Sequence, residues 1–97
     1  MASYRLSNQA ALDLERIYRR GLREFGEQQA DGYFARLFEQ FESIAEHPLL
    51  SQAVEHIRPG YRRRVCGVDS IYYRVIERGE AVEIVAIIGQ QDIDAWL

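Results

Sequence analysis

The sequence predicts an α+β fold in which a short N-terminal strand and an antiparallel helical hairpin precede a three-stranded antiparallel meander. Two long stretches with apolar residues at spacings of three and four predict the helices. Three later stretches rich in β-branched and aromatic residues, separated by short turn signals, predict the meander. With 97 residues, 47% of them hydrophobic and 28% charged, the chain is expected to form one globular domain over residues 1–97.

The helical hairpin has recognisable boundaries. A strand is predicted at Ser3–Leu6, and Ser7 then offers a hydroxyl that can cap a helix beginning at Asn8. Gly26 is suited to end that helix. The second helix is predicted over Glu27–Glu46, before a His-Pro pair that stops it. The connection is so short that the two helices must be antiparallel neighbours.

Both helices carry an apolar stripe. Its members are Ala10, Leu14, Ile17, Gly21 and Phe25 in the first helix, and Ala30, Phe34, Leu37, Phe41 and Ile44 in the second. Stripes of this kind bury themselves against each other and against a common third layer. Phe34, Phe38 and Phe41 are therefore expected in the core rather than on a docking surface.

The third layer is the C-terminal half of the chain. Strands are predicted at Tyr61–Gly67, Ser70–Glu77 and Ala81–Ile88. The run Ile84–Ile88 is apolar at every position, which predicts a central strand covered on both sides. Cys66 lies inside the first of these strands and is expected to be a small buried residue rather than a reactive thiol. One turn of helix is predicted for the tail, residues 90–97.

The composition argues against a membrane or secreted protein, nonspecific nucleic-acid binding and a metal site. The chain contains no apolar run of membrane-spanning or signal-peptide length, so a cytoplasmic location is expected. The net charge of −3 argues against nonspecific nucleic-acid binding, and all twelve basic residues are arginines, which suit carboxylates and aromatic faces. His47 and His56 lack further ligands at metal spacing, so no metal site and no cofactor are expected.

The order of elements and five segments resemble the RelE/ParE superfamily of toxins, and the ParE-type members in particular. The segments are Leu6–Ile17, Ile44–Pro48, Ile57–Arg62, Tyr72–Val75 and Val82–Gly89. The resemblance implies a toxin of a type II toxin-antitoxin system that inhibits DNA gyrase by binding and is not itself an enzyme. It also implies a ParD-like antitoxin as partner in a hetero-oligomeric complex, with no membrane and no direct sequence-specific nucleic-acid contact.

Two other functions are left open by the residues. RelE-like relatives cut messenger RNA on the ribosome, which requires an acid and a base as well as cations. Arginines are present, and Tyr61, Tyr72 and Tyr73 could stack bases or move protons. The chain has no lysine, however, and Gly89–Asp92 stands where RelE-type nucleases resemble one another in placing a titratable group. A non-toxic interaction module with the same fold is the second alternative.

Candidate contact residues follow from these patterns. Antitoxin carboxylates are expected to pair with an arginine-rich set on and beside the strands, made of Arg58, Tyr61, Arg62, Arg63, Arg64, Arg74 and Arg78. Alternation along a strand places Arg63 opposite its two neighbours. Arg74 interrupts an apolar strand, with Glu83 or Asp69 as the alternative partner inside the protein. Gyrase contact is expected from the tail residues Asp92, Ile93, Trp96 and Leu97, with packing of the tail back onto the core as the alternative.

Overall fold

The computed structural model describes residues 3–89 as two helices packed on a five-stranded sheet. The elements are β1 (Ser3–Leu6), α1 (Asn8–Phe25), α2 (Glu27–Glu46), β2 (Gln52–Ala53), β3 (Tyr61–Cys66), β4 (Asp69–Ile76) and β5 (Ala81–Gly89). The sheet order is β1-β5-β4-β3-β2, with β1 parallel to β5 and the other neighbours antiparallel. The predicted α+β fold is confirmed, although β2 was not predicted, and the predicted tail helix lies outside the described residues.

The start of α1 is tied to the sheet by one side chain. The Ser7 hydroxyl oxygen accepts a hydrogen bond from the Ala10 amide at 3.0 Å, as expected of a helix cap. The same hydroxyl donates to the carbonyl of Val85 at 2.7 Å. Ser7 therefore fixes both the first residue of α1 and the position of α1 over β5.

The helices form the antiparallel pair that the sequence predicts. Gly26 joins them with φ at +87°, a conformation that glycine adopts at little cost. A Cβ atom at Gly21 would lie 3.0 Å from the Cβ of Ala30, so the two helices approach closely at this point. Neither helix, within residues 3–89, has the length and apolar composition that crossing a bilayer requires.

The main core lies between the helices and one face of the sheet. Phe41 is fully buried there, and a series of ring contacts runs from Tyr18 through Phe34, Phe38 and Phe41 to Tyr4 on β1. The prediction that the phenylalanines of α2 belong to the core is confirmed. Phe25 was wrongly placed in the stripe, because the last turn of α1 borders an open pocket and leaves this side chain 64% exposed.

The opposite face of the sheet carries a smaller apolar cluster. Val54, Tyr72, Ala86 and Ile88 are buried in it, and partly buried side chains of Ile57 and Tyr61 pack against them. The segment after β2 therefore covers part of this face, which lies opposite the two helices. Burial on both faces of β5, which the continuous apolar run predicts, is confirmed.

A bulge in β5 explains how this strand supplies the main core. Tyr72 pairs with Ala86 but Tyr73 pairs with Ile84, so Val85 is an extra residue in β5. Regular alternation would place Ile84 and Ile87 on opposite faces of the sheet. The bulge instead turns both of them towards the helices, where they are fully buried.

Side chains of α1 satisfy the edge of β5 beyond the last residue of β1. The Ile87 amide donates to Oδ2 of Asp13 at 2.9 Å, and Arg16 donates to the Ile87 carbonyl at 2.9 Å. Asp13 is 5% exposed and also accepts a hydrogen bond from Gln9. The Asp13 carboxylate and the Arg16 guanidinium, on successive turns of α1, thus satisfy the backbone amide and carbonyl of Ile87 that a neighbouring strand would otherwise pair with.

Candidate partner-binding surface

Two of the arginines expected to contact an antitoxin point towards the helices. Arg64 donates to the hydroxyls of Ser43 and Ser51 at 2.8 and 3.0 Å. Arg62 donates to the Ser51 carbonyl at 2.8 Å and to the Leu49 carbonyl at 3.4 Å. Both guanidinium groups therefore hold the connection from α2 to β2, a structural role that the sequence pattern did not reveal.

Arg63 lies on the other face of the sheet, as strand alternation predicts. It donates to the side chain of Gln52 at 3.2 Å. Across the sheet the register places Arg5 beside Glu83, Glu83 beside Arg74, and Arg74 beside Tyr61. We call the surface formed by Arg5, Glu83, Arg74, Tyr61 and Arg63 the polar face.

Arg74 pairs inside the protein with one of its two expected internal partners. Its Nε lies 2.8 Å from Oε1 of Glu83, and the hydrogen bond and charge of this carboxylate raise the pKa of Arg74. The side chain is nonetheless 49% exposed, because within residues 3–89 both helices pack on the other face of the sheet. Arg74 can therefore reach a partner carboxylate while it keeps contact with Glu83.

The remaining two predicted arginines lie outside the strands. Arg58 is exposed in the segment before β3, and Arg78 is exposed in the turn from β4 to β5, with φ at +57°. The structure thus brings Tyr61, Arg63 and Arg74 together on neighbouring strands. The Tyr61 amide also donates to the Arg58 carbonyl at 3.2 Å, whereas Arg78 lies in the turn beyond β4. Sequence analysis missed Arg5, which lies on a strand whose partner could not be deduced from local pattern. The predicted gyrase contacts Asp92, Ile93, Trp96 and Leu97 lie outside the described residues.

Two tyrosines considered for RNA cleavage are not accessible. Tyr72 is 2% exposed and Tyr73 is 0% exposed, because β4 is covered on both faces. The Tyr73 hydroxyl donates to the Pro48 carbonyl at 2.6 Å. The suggestion that these rings stack bases was therefore wrong.

Cys66 is buried, as the sequence indicates. Burial raises the pKa of its thiol, while the positive charge of Arg36 acts in the opposite direction. A raised pKa disfavours the reactive thiolate form. Among residues 3–89, no three His, Cys, Asp or Glu side chains lie close enough together to hold a metal ion.

A buried ionic cluster that sequence analysis did not find lies at the other end of the sheet. Asp69 is 1% exposed, and its Oδ2 lies 3.0 Å from the Arg20 guanidinium and 2.8 Å from the Tyr33 hydroxyl. Burial first, and then the hydrogen bond to Asp69, raises the pKa of Tyr33. Sequence analysis considered Asp69 only as an internal partner for Arg74, and nothing local indicated that α1 and α2 converge on it.

Solved structures with the same fold include toxin-antitoxin systems. A structure described as the chromosomal ParDE toxin-antitoxin system from P. aeruginosa matches with a TM-score of 0.77 and 23% identity, over 92% of this chain and 96% of that one. The toxin-antitoxin complex RelBE2 from Mycobacterium tuberculosis matches with a TM-score of 0.68 and 18% identity, over 92% and 98% of the two chains. At these identities the similarity establishes the fold.

Sequence comparison identifies the family. Toxin ParE1 of Caulobacter vibrioides is 40% identical over 90 residues, which cover 93% of this chain and 91% of that protein. Toxin ParE1 of Mycobacterium tuberculosis is 33% identical over 92 residues, with 94% and 93% covered. The model of the family described as ParE toxin of type II toxin-antitoxin system, parDE, matches residues 4–93. This chain therefore belongs to the ParE toxin family.

Proposed function

We propose that this protein acts as a single cytoplasmic domain that inhibits DNA gyrase by binding, and that a ParD-like antitoxin neutralises it in a hetero-oligomeric complex. The observation that carries the proposal is the family match, which spans residues 4–93 of the 97-residue chain. In this proposal the toxin traps gyrase in its DNA-cleaved state. The tail residues Asp92, Ile93, Trp96 and Leu97 provide the gyrase contact.

The described side chains favour binding over RNA cleavage. A nuclease of the RelE type needs accessible cations together with an acid and a base around one phosphate. Arg62 and Arg64 are engaged with the α2–β2 connection, and Tyr72 and Tyr73 are buried. The polar face instead offers exposed guanidinium groups on a rigid sheet, which is suited to pairing with carboxylates of another protein.

Expression of the chain alone in bacteria separates the candidate functions. Gyrase inhibition should give growth arrest and filamentation with DNA damage signalling, and coexpression of the antitoxin should restore growth. Arrest with loss of translation would favour ribosome-dependent RNA cleavage. Unimpaired growth would favour an interaction module without a cellular target.

The antitoxin contact can be tested by reversing charges on the polar face. Arg63→Glu combined with Arg74→Glu should weaken binding of the product of the adjacent antitoxin gene by about tenfold or more, because hydrogen bonds to charged groups contribute about 1.5–3 kcal/mol each. The remaining binding should also depend less on salt. Isothermal titration at low and high salt measures both effects.

Arg19→Glu is the matched control for this experiment. Arg19 is exposed on α1 and pairs with Glu15 on the same helix, away from the sheet. It carries the same side chain but lies outside the proposed contact, so its reversal should leave affinity nearly unchanged. Equal affinity of the double variant and the unsubstituted chain would exclude the polar face as the antitoxin contact.

A further inference from the structure

A pocket of about 470 Å³ opens between the C-terminal half of α1, the N-terminal half of α2 and the turn from β3 to β4. Its size falls within the range of about 300–1,000 Å³ that is usual for binding pockets. Phe25 on α1 and Val68 in the β3–β4 turn both line it, yet they are 64% and 70% exposed. A large apolar side chain that entered the pocket would remove apolar surface of both residues from water.

The lining of the pocket is largely apolar and carries a net positive charge. It includes the guanidinium groups of Arg20 and Arg36, and none of the described lining residues carries a carboxylate. Arg20 is balanced by the buried carboxylate of Asp69. Arg36 lies 5.7 Å from the centre of the Tyr33 ring, and within residues 3–89 it forms no ion pair. One positive charge therefore remains at the pocket, and a carboxylate of an occupant would compensate it.

The strand β5 ends beside this pocket. Gly89, its last residue, pairs in the sheet with Asp69 at the start of β4. Asp69 in turn lies 3.0 Å from the guanidinium of Arg20, which lines the pocket. Residue 90 therefore directly follows a position that the Asp69–Arg20 pair connects to the pocket.

The sequence of residues 90–97 complements the pocket in charge and in apolar character. It contains two carboxylates, Asp92 and Asp94, and no basic residue. Eight residues can extend to roughly 26 Å, at about 3.3 Å each, which is enough to reach a pocket beside Gly89. Because the segment is tethered, its effective concentration at the pocket is on the order of millimolar, so even a weak contact is populated. Its large apolar side chains are Ile93, Trp96 and Leu97.

We propose that residues 90–97 fold back onto the helices, so that the Trp96 side chain enters the pocket and a tail carboxylate, Asp92 or Asp94, pairs with Arg36. The occupant is a segment of this chain, and its own sequence supplies both the negative charge and the apolar side chain that the pocket requires. In the proposed function the same tail residues contact gyrase. The pocket and gyrase then compete for the tail, and this competition rests on the proposed function, whereas the docking does not.

Fluorescence of Trp96 reports where the tail lies, because this residue is the only tryptophan in the chain. In the full-length chain its emission should lie at shorter wavelength than that of a free tryptophan derivative, and acrylamide should quench it less. Unfolding in urea should remove both differences. Emission and quenching equal to those of the free derivative before unfolding would overturn the proposal.

Gly32 allows the pocket to be filled without a cost to α2. It lines the pocket, and a Cβ atom added there would meet no atom of another element within 4 Å. Gly32→Phe should displace Trp96, which shifts its emission to longer wavelength and increases quenching, whereas the matched control Gly32→Ala should change neither. Because glycine is unfavourable inside a helix, neither variant should lower the melting temperature. Equal emission from the two variants would exclude this pocket as the position of Trp96.

The charge contact can be tested separately. Arg36→Glu should shift the emission of Trp96 to longer wavelength, because it places a carboxylate beside the acidic tail. High salt should have a smaller effect of the same sign on the unsubstituted chain. Arg19→Glu is the control, since Arg19 pairs with Glu15 elsewhere on α1, and it should leave the emission unchanged. Equal emission from Arg36→Glu and Arg19→Glu would exclude the pairing with Arg36.

Two further measurements separate the tail contact from its alternatives. The emission of Trp96 should not depend on protein concentration, and a shift to longer wavelength on dilution would overturn the proposal by assigning the pocket to the tail of a second copy. Gly32→Phe should inhibit gyrase at a lower concentration than Gly32→Ala, because its tail is released. Equal inhibition by the two variants would exclude the competition. Failure of every form to inhibit gyrase would exclude the proposed function, while the fluorescence of Trp96 would still decide whether the tail is docked.

Discussion

Arg20→Ala should lower the free energy of unfolding by about 3 kcal/mol, the usual order of loss when a buried charge loses its ionic partner. The Asp69 side chain is fully buried, whereas Arg20 is 27% exposed. Without the guanidinium, the carboxylate would retain only the Tyr33 hydroxyl, whose single proton it shares with the Cys66 carbonyl. Within the described residues its Oδ1 already has no hydrogen-bond partner. Urea unfolding followed by circular dichroism measures the loss.

Two further variants identify the cause of this loss. Arg19→Ala breaks a largely exposed pair with Glu15 and should cost less than about 1 kcal/mol. Adding Asp69→Asn to Arg20→Ala removes the uncompensated charge and should restore part of the stability. A loss no larger for Arg20→Ala than for Arg19→Ala would show that the buried cluster contributes little to folding.

Asp13→Ala should cost about 1–3 kcal/mol, the penalty for leaving a buried polar group without a partner. The group in question is the Ile87 amide, which lies beyond the last residue of β1 and donates to Asp13 at 2.9 Å. Among residues 3–89, no other strand lies beside β5 at this position, because the chain has already turned into α1. Thermal unfolding and hydrogen exchange at the Ile87 amide report the loss.

Asp13→Asn separates the hydrogen bond from the charge. Its side-chain oxygen can still accept from the Ile87 amide, so this variant should retain more stability than Asp13→Ala. The Ile87 amide should exchange faster in Asp13→Ala than in Asp13→Asn. Equal stability of the two variants would indicate that the carboxylate charge, and not the bond to β5, accounts for the effect of Asp13.

Those parts of the fold that depend on local pattern were predictable from sequence. The Ser7 cap, the antiparallel helices and the meander each follow from residues close together in the chain. The continuous apolar run of β5 was sufficient to predict a strand covered on both faces. In each case a single local preference agrees with the tertiary structure.

Features that depend on distant residues could not be predicted. The two residues of β2 are too short for a periodic signal, and the bulge at Val85 is fixed by pairing with β4. Asp13 has the pattern of an ordinary helix residue, and Asp69 was considered only as a partner for Arg74, although each is buried by elements far away in sequence. The sequence does not distinguish a solvated carboxylate from one that accepts a hydrogen bond from a distant amide or guanidinium.

The arginine run shows the same limit at the candidate site. Strand alternation correctly separated Arg63 from its neighbours. It could not show which face would receive the helices, and therefore could not show that Arg62 and Arg64 are engaged with the α2–β2 connection.

Supercoiling of relaxed plasmid by purified gyrase, in the presence of the full-length chain, tests the proposed function most directly. The chain should block supercoiling and leave cleaved plasmid, and the antitoxin should reverse both effects. If gyrase remains fully active while the same preparation cuts ribosome-bound messenger RNA, the protein is a nuclease and the proposal that it acts only by binding is wrong.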